Sequence, residues 1–195
     1  TIHGEPLARV SFDTPKDARE FIKSYESANM PLYGFPKFQY TAIHKTFPGA
    51  IDAAEAFKSL TIMSIDIETT VNAGFPNIFT ANEQITLITA GVNGVYHTFG
   101  YKPITSNIES NYSSFDTEDQ LLKAFIKFYK SVNPHVLTGW NIRGFDLPFM
   151  YNRIANKLGE TAPKFFSPYG FVEKKQTHVM GKEALELKID GVAVL

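Results

Sequence analysis

Apolar and polar positions along this chain follow two different organisations. Near the start, Thr14 supplies an N-cap and Pro15 sits at the first helical position. Ala18, Phe21, Ile22 and Tyr25 then recur at the spacing of one helical face. "NMPLYGFP", residues 29–36, ends that helix, and "KFQYTAIHKTF" alternates as a strand does. "PGAIDAAEAFKSL" carries no assignable period. The pattern of residues 1–60 is that of part of a small α+β unit.

A second organisation begins near Thr61. "LTIMSIDI" and "QITLITAGV" read as two strands, and Asn93-Gly94 is the strongest short hairpin signal in the chain. It predicts that "VYHTFG" returns antiparallel to the second strand. Thr117 and Gln120 form a capping box, and Leu121, Leu122, Phe125, Ile126 and Tyr129 give the helix that follows its buried face. "PHVLTGW" is a short strand. A further helix starts near Asp146, lined by Leu147, Met150, Tyr151, Ile154 and Leu158 and stopped by Gly159. The rest, from Phe165 on, reads as short strands and turns. A meander of strands followed by alternating helices and strands predicts an α/β domain with a mixed sheet over residues 61–195.

Composition narrows the chemistry. There is no Cys, which removes disulfides and thiolate metal sites. His3, His44, His97, His135 and His178 are scattered, with no pair at ligand spacing, so no zinc site is expected. No apolar run reaches the length of a membrane span and no signal-peptide pattern opens the chain, so the expectation is a cytoplasmic protein without membrane contact. A net charge of −1 supplies no global field for nucleic acid, so any such contact must come from a local site or from bound cations. The chain opens at Thr1 without Met, and "KIDGVAVL" stops in a strand-like run, which predicts further sequence after Leu195.

Two stretches carry the chemistry. In "SLTIMSIDIETT", Asp66 and Glu68 are two residues apart in an otherwise apolar strand. That spacing puts both on one face, about 7 Å apart, with Ile65 and Ile67 on the other. Two like charges at that distance repel by about 2.5 kcal/mol at an effective dielectric near 20. A hard divalent cation such as magnesium or manganese, held by oxygen ligands, offsets that repulsion; solvated acids on an edge strand are the simpler reading. In "GWNIRGFDLPFMYNRI", Asp146 opens a helix, where an N-cap is the simpler role. Gly139 and Gly144 allow close backbone approach. Trp140 and Phe145 read as core aromatics, Asn141 as a turn or substrate residue, and Arg143 and Arg153 as surface charges or phosphate contacts, the surface role being the simpler.

Taken together, Asp66-Ile67-Glu68 on a first strand and Asn141-x-x-x-Phe145-Asp146 at a helix start about eighty residues later resemble the first and second motifs of the proofreading 3′→5′ exonucleases. "VLTGWNIRGFDLPFMYNRI", "FSPYGFVEKK" and "IDGVAVL" are similar to family B DNA polymerases of the T-even bacteriophage replicative type. "TPKDAREFIKSYE" is similar to their N-terminal domain. The resemblance implies a ribonuclease H-like exonuclease domain preceded by part of an N-terminal domain, in a phage protein working in the host cytoplasm. It implies that Asp66, Glu68 and Asp146 hold two Mg²⁺ or Mn²⁺ ions and catalyse hydrolysis at the 3′ end of single-stranded DNA, with Glu68 positioning water. Phe75, in "AGFPN", is the nearest candidate for stacking on the terminal base, with ordinary packing as its alternative role, and Asn141 and Phe145 are further DNA contacts.

The three acids are expected to converge, and without metal at least one is expected to have a raised pKa. The family's third motif, Tyr-x-x-x-Asp, lies downstream of the strand matching "IDGVAVL", and the polymerase palm and fingers are absent. The resemblance therefore implies a fragment whose isolated activity is absent or weak, with the rest of the polymerase, in the same chain or as a split-gene partner, supplying the missing parts. A stand-alone DEDD-type exonuclease and a non-catalytic DNA-binding or assembly module are the alternatives.

Overall fold

The computed structural model describes residues 4, 6–33, 43, 45–46, 55, 58–71, 74–103, 111–179 and 181–195. The chain divides into two compact units, Thr1–Ala56 and Phe57–Leu195. In the first, helix α1 spans Pro15–Ser27. Thr14 caps it as its sequence predicts, its Oγ1 accepting from the Asp17 amide at 3.2 Å and donating to the Asp17 carboxylate at 2.7 Å. Phe21 packs between Phe12 and Tyr25, with ring centroids 5.1 and 4.4 Å away. The strand expected over residues 37–47 falls mostly outside the described residues. Ile43, Lys45 and Thr46, which are described, are helical. Alternation over so short a run does not separate strand from helix.

The second unit holds β1 (Ile62–Thr69), β2 (Ile85–Val92), β3 (Val95–Tyr101), β4 (Asn111–Phe115), α2 (Glu118–Val132), β5 (Val136–Thr138), α3 (Asp146–Leu158), β6 (Val172–Val179), β7 (Lys182–Ile189) and β8 (Ala193–Val194). A 3₁₀ turn over Ala162–Phe166 follows α3. Six strands form one mixed sheet in the order β4-β3-β2-β1-β5-β8, and β6 and β7 form a separate hairpin. The β1–β2 and β2–β3 pairs are antiparallel, while β3–β4, β1–β5 and β5–β8 are parallel. The mixed α/β character and the mixed sheet are those the pattern predicts. The Asn93-Gly94 turn has both residues at positive φ, 52° and 79°, as a tight hairpin requires.

One hydrophobic core joins Met63, Ile65 and Ile67 of β1 to Ile88 of β2, Phe125 of α2 and Met150 and Ile154 of α3. The capping box at α2 forms with a variation. Thr117 accepts from the Gln120 amide, but the Gln120 side chain bonds the amide of Asp116 rather than that of Thr117. Strand β4 has no counterpart in the sequence reading. "NYSSF" is short, polar and barely covered, so neither period nor propensity reveals it. Tyr112 on β4 lies over Gly100 of β3 and donates to the Lys102 carbonyl at 2.6 Å, filling the space a side chain at Gly100 would take. Among the described residues, no helix is long and apolar enough to cross a membrane.

Arg153 departs from expectation. It is not a surface charge but half of a buried ion pair with Glu118, with side-chain exposures of 13% and 5%. Its Nε and Nη2 meet the two Glu118 oxygens at 2.8 and 2.6 Å, and Nη1 donates to the Ala81 and Asn82 carbonyls. Glu118 also accepts from the Ile85 amide, at 2.8 Å. The planar guanidinium satisfies this many acceptors at once, which a solvated lysine would not. The fork ties the start of α2, the start of β2 and the middle of α3 together. Removing the cation leaves a buried carboxylate unpaired, so Arg153→Ala is expected to lower the free energy of unfolding by about 3–5 kcal/mol, measured by urea denaturation. Arg153→Lys is expected to recover only part of that loss.

Candidate active site

Strand β1 alternates as its spacing predicts. Ile65 and Ile67 are buried, and Asp66 and Glu68 are exposed. β1 pairs with β2 along Met63–Thr69 but with β5 only along Ile62–Ser64. Its second half therefore has one edge without a strand partner. The register with β2 also slips between Glu68 and Thr69, a bulge at the end of the acidic segment.

The chain after β5 fills that edge. A Cβ at Gly139 would stand 2.4 Å from the Ile65 carbonyl oxygen, so only glycine lets the chain pass this close to β1. A turn over residues 140–145 follows. Asn141 takes a left-handed φ of 52°, and its carbonyl accepts from the amides of Gly144 and Phe145 at 2.8 and 3.0 Å. Ile142 points into the core, and the Leu147 amide donates to its carbonyl at 3.0 Å. This turn aims the first residue of α3 back at β1.

That residue is Asp146, and it is not an N-cap. Phe145 occupies the cap position, with no side-chain cap bond. The Asp146 Oδ1 instead accepts from the Ile67 amide at 3.1 Å, across the sheet edge and midway between Asp66 and Glu68. It is 4% exposed. Burial pushes its carboxyl pKa up, bonds from the Ile67 amide and its own amide pull it down, and the charges of Asp66 and Glu68 push it up again. The charges of Asp66 and Glu68 thus reach Asp146. Among the described residues, however, no three acidic or histidine side chains are gathered so as to enclose an ion. The donor set, all carboxylate oxygens around one strand segment, has the chemistry of a hard divalent cation. Such a cation would favour the ionised form of Asp146, which burial disfavours.

The aromatic residues divide differently from the sequence reading. Trp140, read as core, is 92% exposed, because Ile142 takes the inward position of the turn. Phe145 is half-buried. Its ring stands 4.9 Å from Phe75 and 5.5 Å from the buried Phe149, so a row of three rings runs from solvent to core. Phe75, at 80% exposure, is the outer member. Asn141 is exposed and is used by the turn. Its side chain covers Gly144, where a Cβ would collide with its Oδ1. Arg143 is exposed and donates to the Val194 carbonyl on β8. His135 accepts from the Thr61 amide at 3.0 Å, and His97 packs on Phe128.

Comparison with known proteins gives the same region a family. The exonuclease domain of DNA polymerase family B matches residues 37–195. The chain is 27% identical to the DNA-directed DNA polymerase of Escherichia phage RB69 and 28% identical to that of Enterobacteria phage T4, in each case over 100% of this chain and 24% of the relative. It is 28% identical to the DNA polymerase delta catalytic subunit of Oryza sativa subsp. japonica over 65% of this chain and 13% of that protein. The chain thus spans about a quarter of the length of the phage relatives.

The raised Asp146 carboxyl has a definite sign in stability. A folded-state pKa above the unfolded value means that protonation favours the native state. The stabilisation is full below about pH 3.9, the unfolded value, and is lost as pH rises through the higher folded value. Asp146→Asn, which keeps an acceptor for the Ile67 amide, removes this dependence. In chelator, the melting temperature of the wild type minus that of Asp146→Asn is therefore expected to fall as pH rises over that window. A flat difference would contradict the burial of a charged Asp146.

Proposed function

We propose, from the chain's membership of the exonuclease-domain family of the family B DNA polymerases, that it carries the 3′→5′ proofreading exonuclease of a phage-type replicative polymerase. Residues 61–195 would form a ribonuclease H-like exonuclease domain, and residues 1–60 part of the N-terminal domain. The observation that carries this reading is the Asp146 carboxylate seated on the Ile67 amide between Asp66 and Glu68. Asp66, Glu68 and Asp146 are the residues that would hold Mg²⁺ or Mn²⁺. When bound, the ions supply a water of lowered pKa and neutralise charge on the scissile phosphate.

The chain's own residues have separable tasks in this reading. Asp66 and Glu68 face solvent, where a phosphodiester can arrive without displacing core side chains. Glu68 orients the attacking water, and Asp146, fixed by its backbone bond, sets the inner limit of the site. The Phe75 ring, backed by Phe145, stacks on the 3′-terminal base, an interaction worth about 1–3 kcal/mol and indifferent to sequence. Asn141 shapes the turn beside it, with DNA contact as its second task. A nearly neutral chain acts on DNA in this way because the cations carry the positive charge. The rest of the polymerase, three-quarters of the relatives' length, supplies the remaining ligand and the synthetic activity, in the cytoplasm of the infected host.

The test is release of 3′ nucleotides from a 5′-labelled single strand in magnesium and in manganese, with the chain alone and joined to the downstream polymerase sequence. Cleavage is expected to run from the 3′ end, to need a divalent ion and to be much faster in the joined protein. Asp66→Ala is expected to reduce the rate by on the order of 10²–10³ or more while leaving the melting temperature in place. Cleavage by the joined protein that ignores Asp66→Ala would overturn the site. Failure of the chain to bind manganese in either form would favour a non-catalytic module.

A further inference from the structure

Between β1 and β2 the chain runs through a loop that carries Phe75. Its base is closed by reciprocal bonds, the Thr70 amide to the Gln84 carbonyl at 2.8 Å and the Gln84 amide to Thr70 Oγ1 at 3.0 Å. Its second limb is braced internally. Pro76 is buried, Asn77 Oδ1 accepts from the amides of Phe79 and Thr80, and the buried Ala81 is held at a φ of 43°. That limb still presents a row of carbonyls that no strand takes up.

Helix α3 takes them up. Asn152 Nδ2 donates to the Ile78 carbonyl at 2.7 Å, Asn156 Nδ2 to the Thr80 carbonyl at 2.8 Å, and Arg153 Nη1 to the carbonyls of Ala81 and Asn82 at 3.1 and 2.8 Å. Three side chains within one turn and a half of helix thus hold four carbonyls of one loop limb. The same helix begins with Asp146. The first held carbonyl, that of Ile78, comes three residues after Phe75, whose ring lies against Phe145, the residue immediately before Asp146. One rigid rod therefore fixes both the buried acid and the loop that carries the exposed ring.

We propose that Asn152 and Asn156, with Arg153 locked by Glu118, are positioning residues for the 3′-terminal base. They hold the 78–82 limb so that the Phe75 ring stands ready to stack at a fixed place relative to Asp146. This rests on the exonuclease reading above and assigns the polar side of α3 a task within it. An aromatic ring on a free loop would be ordered only on binding, and that ordering entropy would come out of the affinity. A ring on a clamped limb avoids that cost. The internal bracing and the clamp both act on the limb rather than on Phe75 itself, which leaves the ring exposed for a ligand.

The test uses single-stranded oligonucleotides carrying 2-aminopurine at the 3′ terminus, or five nucleotides inward as a control, with the protein in chelator so that nothing is cleaved. Asn156 is exposed, so Asn156→Ala and the isosteric Asn156→Asp, which has no donor, are expected to fold as the wild type does. Each is expected to weaken stacking of the terminal base about two- to tenfold, the range a lost hydrogen bond supplies, and to leave the inward probe unchanged. Asn152→Ala is expected to act in the same direction. In a Phe75→Ala background the Asn156 substitutions are expected to have no further effect, because the ring they position is gone. Terminal stacking that depends on Phe75 but ignores Asn152 and Asn156, or effects that add to Phe75→Ala, would overturn the clamp alone. A wild-type protein that shows no contact with the 3′-terminal base would overturn the assignment of Phe75 and the clamp with it.

Discussion

The bond from the Ile67 amide to the Asp146 carboxylate is the constraint around which the second unit is organised. It exists because β5 leaves β1 after Ser64, so the Ile67 amide has no strand partner on that side. A buried amide without an acceptor would be costly. The helix start supplies the acceptor. In doing so it brings a third carboxylate to a strand that already displays two, and it does this through the backbone rather than through any attraction among the acids. The nearness of the third acid is a consequence of sheet topology, and the bond from the Ile67 amide holds it there.

Two acids, Glu118 and Asp146, are buried among the described residues, and the fold treats them in opposite ways. Glu118 is neutralised by the fork of Arg153 and satisfied again by the Ile85 amide, which makes it a structural joint. Asp146 meets amides and no cation, and burial first, with the charges of Asp66 and Glu68 adding to it, pushes its carboxyl up. A fold that needed Asp146 only for architecture would be served as well by asparagine. The two carboxylates, on two helices sharing one core, differ in this respect: one is compensated by a cation and the other is not.

Much of this was legible in the sequence, and the reasons differ by element. The β2–β3 hairpin was readable because Asn93-Gly94 fixes turn geometry locally. The two faces of β1 were readable because a strand has period two. Helices α1 and α2 announced themselves by their caps, and α3 by its apolar stripe. Strand β4 was not legible, since a strand of Asn, Tyr, Ser, Ser and Phe is stabilised by its neighbour and by Tyr112 over Gly100, not by its own pattern. The roles of Trp140 and Arg153 were also hidden. An aromatic in a turn and an arginine on a helix are placed by tertiary partners that no local window contains. The buried role of Glu118 is hidden for the same reason. Asp146 was singled out, yet its contact with Ile67 is visible only when the sheet is assembled.

Gly139 gives the arrangement a history as well as a shape. Its backbone angles are open to any residue, so nothing in the Ramachandran map demands glycine there. The demand comes from the Ile65 oxygen, 2.4 Å from where the first side-chain carbon would lie, and that oxygen is main chain and cannot step aside as a side chain would. Even alanine, the smallest departure, meets the collision. Drift at this codon therefore has no intermediate to pass through, and a lineage that loses the glycine must first rebuild the crossing of β5 and β1.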